Sequence, residues 1–179
     1  MDKNVLVIST SMRKGGNSDR LAEEFARGAG EAGNRVTRLD LRGKTIGFCR
    51  GCLACQKTHK CVIGDDAAAI IEQMREADVI AFATPIYYYE MSGQMKTLLD
   101  RSNPLFSSDY AFGDIYLLSA AADSDQSADE RAENGLEGWI ACFERARLAG
   151  KVFGGGANHV GDIEGSPALR QAFEMGKRV

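Results

Sequence analysis

Two kinds of apolar run alternate along the chain. Short, unbroken, β-branched segments are separated by longer stretches in which apolar positions recur every three or four residues, so the pattern predicts strands and helices in turn. Val5-Leu6-Val7-Ile8 is continuous and β-branched at three of four positions, as expected of a central parallel strand covered on both faces. Leu21, Ala22, Phe25, Ala26 and Ala29 then recur at helical spacing up to Gly33, which can supply a left-handed C-cap. Arg35 to Leu41 reads as a second, more polar strand nearer an edge, with Val36, Leu39 and Leu41 apolar. Asp65 or Asp66 can cap a helix whose buried stripe is Ile70, Ile71, Met74 and Ala77. Val79 to Ala83 predicts the third strand, Thr84 to Gly93 a loop, and Met95, Leu98 and Leu99 a helix reaching Arg101. Ile115 to Leu118 is the fourth strand. After a loop from Ser119 to Ser127 comes a helix that turns Leu136, Trp139, Ile140 and Phe143 inward, with Cys142 as a small buried hydrophobe on the same side. Val152 and Phe153 mark a short fifth strand, and Ser166-Pro167 starts a last helix with Leu169, Ala172 and Phe173 on its apolar face.

Five strands alternating with helices imply a doubly wound α/β fold: a five-stranded parallel sheet, helices on both faces, right-handed crossovers. In the flavodoxin-like strand order 2-1-3-4-5, the loops Ser9 to Ser18, Thr84 to Gly93 and Ser119 to Ser127 surround one crevice at the carboxyl ends of the strands. The 179 residues suit a single domain spanning 1–179, without an internal repeat or separate linker. A net charge of −3 with interspersed signs offers no basic face for nucleic acid. No apolar run approaches the roughly 20 residues of a membrane helix, and Met1-Asp2-Lys3-Asn4 carries no signal-peptide pattern, so a cytoplasmic location is expected.

The loop Ser9-Thr10-Ser11-Met12-Arg13-Lys14-Gly15-Gly16-Asn17-Ser18 joins a buried strand to a helix and concentrates hydroxyls, cations and glycines. Hydroxyls and free amides donate to an anion, glycine lets the backbone approach, and the helix start adds roughly half a positive charge. The chain lacks both G-x-x-x-x-G-K-[ST] and G-x-G-x-x-G at this point, so a monophosphate such as that of FMN is preferred over a nucleoside triphosphate or a dinucleotide. The alternative is a solvated turn that caps the helix through Asn17 or Ser18. In the loop Thr84 to Gly93, three successive tyrosines offer flat faces for a tricyclic ring, or an apolar patch for a subunit interface, Tyr89 in particular.

These residues carry a resemblance. The first loop resembles the glycine-serine-proline-arginine motif of NADPH-dependent FMN reductases, with Thr10 in the usual place of glycine and Met12 in that of proline. Thr84-Pro85-Ile86-Tyr87-Tyr88-Tyr89-Glu90-Met91-Ser92-Gly93-Gln94-Met95-Lys96, followed by Asp100-Arg101, is similar to that family's flavin loop and helix. Gly161-Asp162-Ile163 and Ser166-Pro167-Ala168-Leu169 extend the likeness along the chain. The resemblance implies an FMN phosphate at Ser9, Ser11, Arg13, Asn17 and Ser18, and the flavin ring and ribityl chain at Pro85, Ile86, Tyr87, Tyr88 and Ser92. It also implies NAD(P)H as electron donor, a small acceptor or redox protein as partner, and a homodimer or dimer of dimers.

Cys49-x2-Cys52-x2-Cys55-x5-Cys61, within a cysteine-rich loop 47–64, places four of the five cysteines in thirteen residues. Two C-x-x-C steps suit the compact wrapping of a 4Fe-4S cluster, and the spacing is similar to that of archaeal-type iron-sulfur flavoproteins. Because the loop follows the second strand, it is expected on the same rim as the flavin loops. A four-thiolate zinc site and a reversible dithiol or free thiols are the competing readings. His59 lies inside this loop as a spare ligand or donor, His159 reads as structural, and Asp123 and Asp125 as a solvated loop. Together these features predict an FMN-dependent oxidoreductase that needs no dedicated acid or base. An electron carrier without a small-molecule substrate and a non-catalytic thiol or metal sensor are the alternatives.

Overall fold

The computed structural model describes residues 2–179. Five parallel strands, β1 (Asn4–Ser9), β2 (Arg35–Asp40), β3 (Val79–Tyr87), β5 (Asp114–Ala120) and β6 (Arg147–Gly154), lie in the order β2-β1-β3-β5-β6, and the two-residue strand β4 (Glu90–Met91) folds back on β3. The order reverses at β1 and β3, as in the flavodoxin-like arrangement. Register is regular, with Val5 opposite Val36 and Val79, and Phe82 opposite Leu117. One irregularity between Ile115 and Tyr116 leaves Ala149 of the edge strand β6 without a partner.

Period-two alternation divides the strands between two cores. Leu6, Ile8, Ile80, Phe82, Ile115 and Leu117 face one layer, formed by α3 (Ala67–Glu76), α4 (Gly93–Arg101) and α5 (Glu130–Ile140). Val5, Val7, Val79, Ala81, Ala83 and Leu118 face the other, formed by α1 (Asn17–Glu31) and α6 (Pro167–Gly176). In that second layer the helices meet backbone to backbone. A Cβ on Gly28 would lie 2.1 Å from the Phe173 carbonyl oxygen, and one on Gly176 2.2 Å from that of Phe25, so glycine alone fits these crossings. Helix α6 starts as its sequence predicts, with Ser166 Oγ accepting from the Ala168 amide and Pro167 at the first helical position.

Several expectations are corrected. β3 does not stop at Ala83: it continues through Pro85 to Tyr87, and Tyr88 and Tyr89 make the turn into β4, so most of the expected loop is a hairpin. Pro85 is tolerated because β1 ends at the Ala83 register, which leaves no neighbour on that side to need its missing amide. The fifth main strand has eight residues rather than two, and its exposed edge position explains its polar composition. Cys142 is exposed, because α5 ends at Ile140 and the chain turns before Phe143 re-enters the core. Among the described residues, no helix is long and apolar enough to cross a membrane.

Candidate functional site

At the carboxyl ends of β1, β3 and β5 a cavity of about 140 Å³ is bounded by Ser11, Arg13, Asn17 and Ser18 on one side and by Pro85, Ile86 and Tyr87 on another. Ala120 to Ala122 and the segment Ala157–Asn158 complete its wall. Helix α1 opens onto it without a side-chain cap, since Gly16 occupies the N-cap position. A Cβ at Gly16 would come within 2.6 Å of Ser11 Oγ and 3.1 Å of the Arg13 carbonyl oxygen, so a side chain there would displace the Ser11 hydroxyl. The Ser18 hydroxyl is buried and has no hydrogen-bond partner. A helix start with free amides and an orphaned hydroxyl is short of an acceptor, and an anion supplies one. Arg13 reaches over the loop to donate to the Asn158 carbonyl at 2.9 Å. Asn17 ties α1 to the far wall, donating to the carbonyls of Ala157 (3.1 Å) and His159 (2.9 Å) and accepting from the Ile163 amide (3.3 Å).

The remaining hydroxyls of the loop serve the fold. Ser9 donates to the buried Asp19 at 2.7 Å, and Thr10 bonds the Ala83 carbonyl and Ser92 Oγ, each at 3.0 Å. Ser92 caps α4 by accepting from the Met95 amide. Burial by itself would raise the Asp19 pKa; the Ser9 hydroxyl, the Arg38 guanidinium and the Gly15 amide outweigh it and hold the carboxyl below its ordinary value. Arg38 also bonds Glu23. The same device recurs across the cavity: Ser119 donates to buried Asp129 at 2.6 Å, and Lys151 from the neighbouring strand bridges Asp129 and Glu133. Both loops that flank the cavity therefore rest on a Ser–Asp–Glu–cation brace, a repetition the linear sequence did not disclose.

The tyrosine hairpin overhangs this region. Tyr88 and Tyr89 both have left-handed backbones, with φ of 52° and 63°, in a turn whose geometry favours Asn-Gly. Tyr88 is 97% exposed, and the Tyr89 hydroxyl donates to Asp123 at 3.0 Å, linking the hairpin to the loop after β5. Two bulky residues therefore hold left-handed backbones in a solvent-facing turn, at a cost in strain.

The cysteine loop forms a second cavity of about 420 Å³, whose wall contains Cys49, Cys52, Cys55 and Cys61 together. Gly51, Leu53 and His59 take left-handed backbones that curl the chain around it. His59 ends the single turn α2 (Cys55–Thr58), with Nδ1 3.3 Å from Ser107 Oγ. Among the described residues, no three His, Cys, Asp or Glu side chains converge closely enough to hold one metal ion. The expected shared rim holds only for the stem of the loop: Ile46 and Phe48 lie beside Met12 and the start of α4. The thiols themselves sit against Arg101 and Asn103 at the far end of α4, and their cavity shares no lining residue with the first.

The sequence profile of the NADPH-dependent FMN reductase family matches residues 3–159. The chain belongs to this family. Among the relatives of the chain, an iron-sulfur flavoprotein of Methanosarcina thermophila is 29% identical over 94% of the chain and 85% of its own length. One from Methanocaldococcus jannaschii is 39% identical, over 56% of the chain and 52% of its own length, so the chain spans about half of that relative. A putative NAD(P)H-dependent FMN-containing oxidoreductase of Bacillus subtilis is 28% identical over 97% of both chains. The fold is shared with an NAD(P)H:quinone oxidoreductase from Methanothermobacter marburgensis (TM-score 0.75, 16% identity, 99% and 96% coverage). It is shared equally with an azoreductase from Bacillus anthracis (TM-score 0.74, 18% identity, 99% and 100% coverage).

Within this fold, Ser11, Arg13, Asn17, Ser18, Pro85, Ile86 and Tyr87 meet at one cavity, whereas Ser9 and Ser92 lie beneath it and Tyr88 projects outward. Sequence reasoning missed Asp19, Arg38, Asp129 and Lys151, which shape the loops from below, and Arg101 and Asn103, which back the cysteines. Asp19 had one signal, an acid in the first turn of the helix after an anion-seeking loop. Arg38 and Lys151 had none, because each is brought in by a neighbouring strand.

Proposed function

We propose that this FMN reductase takes electrons from NAD(P)H and passes them through bound FMN to a small quinone or flavin, or to an iron-sulfur acceptor. The observation that carries this reading is the unpartnered Ser18 hydroxyl beside the uncapped start of α1, facing a cavity whose opposite wall is Pro85–Tyr87. When bound, FMN supplies the two-electron chemistry. The chain's own groups bind and orient it. Ser11, Ser18, the α1 amides and Arg13 hold the phosphate, while Pro85, Ile86 and Tyr87 line the ring and ribityl chain. The Ser9–Asp19 and Ser119–Asp129 braces keep the two loops at fixed spacing, and the hairpin limits water at the ring edge. Tyr88, almost wholly exposed, belongs to a contact with a second copy in a homodimer or a dimer of dimers.

A second reading, an electron carrier with an iron-sulfur group, is favoured by four thiols sharing one cavity. Two C-x-x-C steps with a fourth cysteine on the same cavity wall suit the compact ligation of a polynuclear cluster better than structural zinc, whose ligand pairs are separated by a longer loop. In this reading Cys49, Cys52, Cys55 and Cys61 hold a 4Fe-4S cluster that supplies one-electron steps. Anaerobically purified protein tests both readings. Stoichiometric FMN with NADH or NADPH oxidation on adding a quinone is expected of the reductase. Bound FMN with no turnover with any small acceptor overturns the enzyme and leaves the carrier. Absence of FMN binding overturns both.

A further inference from the structure

Arg101, in the last turn of α4, is 1% exposed. Its Nη1 donates to the Gly47 carbonyl and to Asp65, each at 2.7 Å, and its Nη2 donates to Asp65 at 2.9 Å and lies 3.4 Å from the Ile63 carbonyl. Gly47 opens the cysteine loop and Ile63 and Asp65 close it, so one buried guanidinium grips both stems. Asp65 reinforces the grip by accepting from the amides of Gly47 (2.8 Å) and Ala67 (3.1 Å). A guanidinium has five N–H donors, and Arg101 Nε–H is buried without a partner in a side chain that forms part of the cysteine cavity wall. This N–H is free to donate to an acceptor that enters the cavity. Two residues on, Asn103 Nδ2 donates to Cys55 Sγ at 3.0 Å. The wall behind the thiols therefore carries two hydrogen-bond donors, one of them on a buried cation.

We infer that Arg101 is the positioning residue of the cysteine site: it clamps the loop so that four thiols share one cavity, and with Asn103 it offers N–H groups to the sulfurs of a cluster held there. The inference rests on the iron-sulfur reading above. Hydrogen bonds to sulfur and a nearby positive charge favour the more negative, reduced state of such a cluster, so their removal lowers its reduction potential.

The test compares wild type with Arg101→Lys, Arg101→Gln and Asn103→Ala, each reconstituted anaerobically with ferrous iron and sulfide. Iron retention against a chelator, midpoint potential, FMN content and thermal melting are recorded. Expected is a loss of iron affinity of about 10–100-fold in Arg101→Gln, the usual effect of removing a group that orients metal ligands. Arg101→Lys, which keeps the charge and loses the fork, recovers the potential but not the retention. Asn103→Ala keeps the loop clamp and the FMN, and lowers the potential. Should Arg101→Gln fail to fold, as melting and FMN content would reveal, Arg101→Lys and Asn103→Ala decide alone. Wild-type retention and potential in the variants overturn the role of Arg101 while leaving the cluster. A wild-type protein that takes up no iron and sulfide overturns the iron-sulfur reading, and the inference with it.

Discussion

Replacing Ser18 by alanine moves two measurements in opposite directions. Its hydroxyl is buried and unpartnered without ligand, at the start of a helix that lacks a side-chain cap. When a phosphate accepts from it, the bond is made to a charged group and is worth about 1.5–3 kcal/mol. At about 1.4 kcal/mol per decade, Ser18→Ala weakens FMN roughly 10- to 150-fold. In the ligand-free protein the same substitution removes a buried polar atom that has no partner, a relief of about 1–3 kcal/mol, and alanine is the better helix former. For a chain of this size each kcal/mol moves Tm by about 2–4 °C, so the apo variant melts higher than the apo wild type. FMN fluorescence quenching gives the affinity, and scanning calorimetry of flavin-free protein gives Tm. An unchanged FMN affinity, or an apo variant that melts lower, refutes the placement of the phosphate at the start of α1.

Three other outcomes follow from the same structure. Gly28→Ala puts a methyl against the Phe173 carbonyl; overpacking of about 1–3 kcal/mol outweighs the helical gain of at most about 1 kcal/mol, so Tm falls, as circular dichroism will record. Tyr88→Asn with Tyr89→Gly relieves two left-handed residues at roughly 1–2 kcal/mol each, raising Tm while lowering NAD(P)H turnover and the dimer fraction in sedimentation; unchanged turnover and assembly would show the strain to be idle. Hydrogen bonding from Arg101 lowers the Asp65 pKa to about 2, against the opposing effect of burial and with help from the Gly47 and Ala67 amides. Because the folded value lies below the unfolded one of 3.8, this contribution is present above about pH 4 and is lost as pH falls toward 2. Urea unfolding across that window should show a steeper loss for wild type than for Asp65→Asn.

The alternation of apolar runs determined the fold class and the position of the first loop, because buried parallel strands and amphipathic helices leave periodic marks in a linear sequence; the order of the strands is decided by the tertiary structure. That Ser11, Arg13, Asn17 and Ser18 lie together at one cavity was legible for the same reason: a strand–loop–helix junction keeps its residues close in sequence and in space. Tertiary structure decided the rest. Ser9, a hydroxyl in the right loop, points beneath the site because Asp19 lies one helical turn away to receive it. Tyr88 and Tyr89 looked like loop residues, but register against Met91 and Glu90 makes them a hairpin turn. The cysteines stood out by spacing alone, yet the separation of their cavity from the first and their backing by Arg101 and Asn103 depend on how far down the sheet α4 carries its last turn. Periodicity records which face a residue buries; it holds no record of what arrives from a distant part of the chain to meet it.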